Sequence, residues 1–239
     1  MSIAVVGALR EEIAPLTRLL ADQRPAPVGR SLHCRAAGRD VHLMAAGDGM
    51  AKARRAAEEL LEAVQPRVLI CLGLAGGLTE DLEVGQLVLA DRVVGETSGG
   101  VFSCPESRWR SRAMDRGAAT ATLVSADVIA CRRADRRRLA GLANATPAAV
   151  DLESAGWAAA ATTAGIPFIV LRGISDSFDE ELPLDFESLR DSSGSVDRRR
   201  VIAAALKTPR ALPGLLRLRR RLHGVSRDLA TWAAEVVAA

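Results

Sequence analysis

The chain has 239 residues, 49% of them apolar and 26% charged, which is enough for one sizeable core and excludes disorder and collagen-like repeats. The formal charge of +3 is unevenly spread: residues 198–239 carry ten basic and two acidic side chains, whereas the preceding 197 carry 22 basic and 27 acidic. Base gathered at one end argues against a nucleic-acid coat, and 3% aromatics with no tyrosine are too few for base-stacking platforms. Cys34, Cys71, Cys104 and Cys131 form no C-x-x-C pair and no zinc-ligand spacing, so a reduced, cytoplasmic chain without a metal is expected. The opening MSIAVVGALREE meets Arg10 and two glutamates straight after a short apolar run, unlike a signal peptide. No apolar run approaches the roughly 18 residues of a membrane span.

In chain order, short β-branched runs bounded by glycine predict strands at 2–7, 41–46, 67–73, 86–93 and 167–173, with a further extended stretch within 120–130. Segments of helical period predict helices at 11–22, 50–64, 132–143, 153–164 and 200–229. In 50–64, Ala53, Ala57, Leu60, Leu61 and Val64 share a stripe and the charged residues lie off it, so one face packs on a sheet. The partial alternation predicts an α/β fold: one domain over 1–239 with a mixed, mostly parallel central sheet flanked by helices. Residues 95–117, around Trp109, read as a long loop or flap, and the polar stretch 191–197 reads as a linker. Beyond it, 198–239 forms a basic helical tail. Ala211, Leu215, Leu218, Leu222, Val225 and Leu229 repeat along one face there, with Arg217, Arg219, Arg220, Arg221 and Arg227 off it and Pro213 fit only for a first turn. Such a helix either closes the domain with a solvated arginine face or makes peripheral contact with an anionic membrane.

Several turns place candidate chemistry at strand ends, where open α/β sheets gather ligands. The first strand ends at Gly7, ahead of Glu11 and Glu12, which also suit a helix N-terminus. Gly47-Asp48-Gly49 opens the next helix, but the third glycine of a dinucleotide fingerprint is replaced by Lys52, so no nicotinamide cofactor is expected. The strand VLICLG runs into the small-residue turn Leu74-Ala75-Gly76-Gly77, and PFIVLRGISDS runs into Ser175 and Asp176. Asp176 alone would be an ordinary helix cap. Together, Glu12, Glu153 and Asp176 suit cleavage of a glycosidic bond, where one acid protonates the leaving group and another activates water.

The blocks VGALREEIAPL (6–16), GDGMAKARRAA (47–57), CLGLAGGLTEDLEVGQLVLAD (71–91), SADVIA (125–130) and AVDLESAGWAAAATTAGIPFIVLRGISDSFDEE (149–181) resemble the purine nucleoside phosphorylase / 5′-methylthioadenosine and S-adenosylhomocysteine nucleosidase superfamily. That resemblance implies a cofactor-free enzyme in which Glu12 activates water, Asp176 is the acid at purine N7 and Glu153 binds the ribose hydroxyls. It implies an adenine site of Ile129, Ala130, Leu152 and Phe186, with Ser175 beside Asp176 and the Ala75-Gly76 turn at the substrate. It also implies a small-molecule nucleoside substrate and a homo-oligomer, such as a homodimer, with 95–117 at the interface. Leu74 stands where the superfamily usually has a small hydroxyl residue; leucine donates no hydrogen bond, which favours hydrolysis over phosphorolysis even though Arg10 is available for phosphate. The apolar turn and the ending ELPLDFESLRDSSGSVDRRRVIAAALKTPRALPGLLRLRRRL are most similar to the hopanoid-associated subgroup. That likeness implies removal of adenine from adenosylhopane. A phosphate-dependent purine nucleoside phosphorylase, a methylthioadenosine/S-adenosylhomocysteine nucleosidase and a catalytically inactive nucleoside-binding module are the competing readings.

Overall fold

The computed structural model describes residues 2–26, 28, 31–115, 117–191 and 194–238. β1 (Ser2–Gly7) is buried at every position after the first, as a strand covered on both faces must be. It runs parallel to β4 (Arg39–Ala45) on one side and to β5 (Leu69–Gly77) on the other. β5 runs parallel to β10 (Phe168–Asp176), which lies antiparallel to β6 (Leu87–Gly95). β6, β8 (Ala119–Ser125) and β9 (Ala148–Asp151) follow in parallel, and β9 returns antiparallel to the end of β5. These strands close a ring that shares β5 with an open sheet. On the far side of β4, β3 (Ser31–Ala36) and β2 (Ala21–Pro25) continue the sheet antiparallel to its outer edge.

Successive β1 side chains point to opposite faces. Ala4 and Val6 join one core with Ala53, Ala57 and Leu60 of α2 (Met50–Val64) and Trp157 and Ala161 of α5 (Ser154–Thr163). Ile3 and Val5 join the other with Leu16 of α1 (Arg10–Leu19), Trp109 of α3 (Arg108–Met114) and Leu229, Trp232 and Val236 of α7 (Leu212–Ala238). Trp232 is fully buried, and its indole N–H donates to the Ala113 carbonyl at 3.1 Å. Each such large apolar side chain contributes on the order of 2 kcal/mol when buried. The C-terminal half of α7 is thus core, not appendage. No helix among the described residues is long and apolar enough to cross a membrane.

The mixed α/β sheet follows the sequence, and several boundaries differ from it. The first helix stops at Leu19, and Ala21–Pro25 becomes an exposed edge strand. The expected loop 95–117 contains a short strand, β7 (Val101–Ser103), and α3. Trp109 is a core residue there. The expected helix 200–229 is two helices, α6 (Arg198–Lys207) and α7, because Pro209 cannot continue a helix and Thr208 before it turns out of helical geometry. Pro213 sits in the first turn of α7. The tail stripe faces the protein's own body: Ala211, Val225 and Leu229 are buried and Leu215, Leu218 and Leu222 half-buried. The expected linker is packed instead, with Asp197 N–H on the Leu189 carbonyl and Val196 bridged to Arg190; Ser192 and Ser193 lie outside the described residues.

Candidate active site

The carboxyl ends of β1, β5, β9 and β10 meet around a cavity of about 200 Å3 lined by Ala8, Leu9, Glu12, Asp48, Leu74, Ala75, Gly76, Ile129, Ala130, Val150, Asp151, Leu152, Glu153, Ser175, Asp176 and Leu182. Glu12 arrives on the first turn of α1. One of its oxygens accepts from Leu9 N–H at 2.9 Å, and the other reaches across to Leu74 N–H at 3.1 Å. At Leu74 it is therefore the backbone, not the side chain, that holds the carboxylate. Burial pushes the Glu12 pKa above the ordinary glutamate value; the two amides and the nearby Arg172 guanidinium offset part of that rise.

Glu153 precedes α5 and accepts from Gly49 N–H at 3.0 Å. Gly49 has a φ of +93°, a backbone state that favours glycine and aims its N–H at the carboxylate. The Glu153 pKa is also raised, by burial first and then by the charges of Asp151 and Glu12. Beneath both glutamates lies Arg172, 1% exposed, bound to Asp151 at 2.6 Å. Asp151 further accepts from Ser125 Oγ at 2.7 Å, and the guanidinium lies 5.2 Å from the Trp157 ring centre. One buried cation thus serves a neighbourhood of three carboxylates. A pair with such complete hydrogen bonding is tolerated in a core where a lone charge is not.

Asp176 ends β10 under different conditions. Its two oxygens accept from Arg136 Nη2 and from Ser175 Oγ. Arg136, on α4 (Arg133–Ala143), is fully buried, and its other terminal nitrogen donates to the Ser177 carbonyl at 2.6 Å. β10 is irregular between Ile174 and Asp176, which brings Asp176 opposite Gly76. A Cβ at Gly76 would lie 2.8 Å from the Asp176 carboxylate, so a larger residue there would push the carboxylate from its place.

Of the residues singled out in the sequence, Glu12, Ala75, Gly76, Ile129, Ala130, Leu152, Glu153, Ser175 and Asp176 all line the cavity. Phe186 does not; it precedes a single 3-10 turn at Glu187–Leu189. Glu11 is exposed, and Arg10 lines a separate hollow with Ile13, Thr17 and Gln23. The Ile129 N–H donates to Glu187 at 2.8 Å and its carbonyl accepts from Cys131 N–H at 2.8 Å, which leaves that carbonyl one further lone pair for a ligand amine. The sequence reading missed Asp48, Asp151, Arg136 and Arg172. Asp151 and Arg172 lie inside quoted blocks, but their pairing is a contact between strands. Arg136 sits in RRADRRR, which reads as a solvated charge run.

An apolar-walled cavity with acids on either side can hold a planar base between aliphatic groups and move protons at both ends of a bond. The family model of the phosphorylase superfamily matches residues 2–207. The chain is 28% identical over 211 residues to the 5′-methylthioadenosine/S-adenosylhomocysteine nucleosidase of Actinobacillus succinogenes, covering 78% of this chain and 90% of that one. It is 26% identical to the Listeria welshimeri enzyme of the same name, covering 78% and 91%. Among solved structures it is similar in fold to the Helicobacter pylori 5′-methylthioadenosine/S-adenosylhomocysteine nucleosidase bound to butyl-thio-DADMe-Immucillin-A. The TM-score is 0.76 at 19% identity, covering 99% of this chain and 97% of that one. The futalosine hydrolase of Helicobacter pylori is similar to the same degree, with a TM-score of 0.76, 19% identity and 99% and 97% coverage. With most of its length matched, the chain is an enzyme that belongs to the phosphorylase superfamily.

Proposed function

We propose that this enzyme hydrolyses the N-glycosidic bond of a 5′-substituted adenosine and releases adenine. The observation that carries the reading is the convergence of Glu12, Glu153 and Asp176 on one cavity with an aliphatic wall of Ile129, Ala130, Val150 and Leu152. Glu12 takes a proton from water as the water oxygen bonds to C1′. The C1′–N9 bond breaks, its electron pair flows into the purine, and N7 receives the proton of Asp176 in its carboxylic acid form, which is left as a carboxylate on Arg136 and Ser175. Glu153 binds the ribose hydroxyls, and the surrounding negative charge stabilises the oxocarbenium-like transition state. Water rather than phosphate is favoured because no lysine or arginine is among the residues that line the cavity, and Leu74 offers only its backbone N–H, already given to Glu12.

The apolar turn and the basic ending support adenosylhopane as the substrate, converted to ribosylhopane in hopanoid biosynthesis. The alternative is 5′-methylthioadenosine or S-adenosylhomocysteine, the compounds in the names of the relatives in Actinobacillus succinogenes and Listeria welshimeri. A cytoplasmic homo-oligomer, in peripheral contact with the membrane when its substrate is lipid-bound, belongs to the same reading. Adenine release from a panel of 5′-substituted adenosines tests it. Preference for a lipid-tailed analogue over methylthioadenosine supports the hopanoid substrate, and the reverse preference rejects it. Binding without any release would indicate a nucleoside-binding module.

A further inference from the structure

α6 and the first turns of α7 carry four exposed large apolar side chains: Ile202 is 56% exposed, Leu206 73%, Leu212 42% and Leu216 54%. Each pair is spaced four apart, so each shares one helical face. α6 buries only Ala205. These are not the residues of the tail stripe, which faces the domain. The same segment, 198–221, holds nine arginines and lysines and no acid, and all but Arg221 are exposed.

The charge selects the occupant. A second copy of this face would set eight exposed like charges against eight, which an isologous contact disfavours. A nucleic acid would use the cations and gain nothing from Leu206 or Leu216. An anionic bilayer uses both, with cations at the headgroups and leucines at the acyl boundary. The segment also adjoins the active site. Arg221 donates to the Ser175 carbonyl at 3.1 Å, next to Asp176, and to Glu180 at 2.6 Å. Leu182 lines the nucleoside cavity, and its neighbours Glu181 and Pro183 line a groove with Arg210 and Arg217.

We propose that the α6–α7 face rests on an anionic lipid surface, with Ile202, Leu206, Leu212 and Leu216 in the interfacial layer and the nucleoside cavity beside it. This deepens the reading of a lipid-tailed substrate and rests on it for its purpose, though lipid binding itself needs no substrate. The test is co-sedimentation of the full chain with phosphatidylglycerol/phosphatidylcholine vesicles and with phosphatidylcholine alone, at matched salt. The expected result is enrichment on the anionic vesicles only, reduced about tenfold in a Leu206→Ser, Leu216→Ser double variant, with turnover of a soluble 5′-substituted adenosine unchanged. No enrichment, or enrichment that the variant retains in full, overturns the proposal. So does binding to duplex DNA in place of vesicles, or an oligomer that the variant dissociates. If the unsubstituted chain turns over nucleoside but binds no anionic vesicle, this surface alone is removed; if it binds the vesicles but releases no adenine, the hydrolase reading alone is removed.

Discussion

Glu12 and Glu153 are fixed by main-chain amides of Leu9, Leu74 and Gly49 and share Arg172, whereas Asp176 is gripped by side chains, with Arg136 brought from another helix. The first arrangement follows from where strands end and helices begin. The second depends on one long-range ion pair between groups that are nearly inaccessible to water. The glutamates are therefore robust to side-chain change around them and burdened by burial. Asp176 is exposed to single substitutions at a distance.

The largest expected effect is at Asp176. Asp176→Asn lowers kcat by about 10²–10⁴-fold, the range of a lost general acid, while substrate binding holds, as steady-state and binding measurements would show; full activity would remove it from the acid role. At Arg136, Arg136→Met leaves the Asp176 carboxylate buried without its cation, a loss of about 3–5 kcal/mol for a broken buried pair. The double variant Arg136→Met, Asp176→Asn should recover part of that loss in denaturant unfolding, since the unpaired charge is gone. Additive losses would mean that the pair is not coupled.

The glutamates predict a pH effect. Burial raises the pKa of Glu12 and of Glu153, so folding favours their neutral forms. Between the unfolded and the folded pKa the native state binds more protons than the unfolded one, and stability falls as pH rises through that window. Glu153→Gln should therefore raise Tm at pH 8 more than at pH 4, at the cost of both binding and rate. The acid limb of kcat/KM, set by ionisation of Glu12, should lie above the ordinary glutamate range. The smallest effect is at exposed Glu11, where Glu11→Gln should change turnover by less than about twofold.

What was legible in the sequence divides along the same line. β1, α2, β5 and β10 announce themselves by apolar runs and helical stripes, and the strand-end acids follow because ligands of such sheets collect at carboxyl edges. β2 and β3 are half-polar and carry no such run, and α3 is a seven-residue helix in a Gly/Ser/Arg-rich stretch. The ring closure by β10 is a pairing of distant segments, which spacing does not encode. Arg136 and Arg172 look like solvated charge until the fold buries them. In α7, periodicity finds the inward stripe, but Leu212 and Leu216 lie off it, so the outward apolar pair is visible only once the inward one is docked.

The most direct test of the central claim is a turnover in heavy-oxygen water, with and without phosphate, followed by mass analysis of the sugar product. Hydrolysis predicts free adenine, one heavy oxygen at C1 of the sugar and a rate independent of phosphate. A sugar 1-phosphate, with a rate that rises with phosphate concentration, would contradict it.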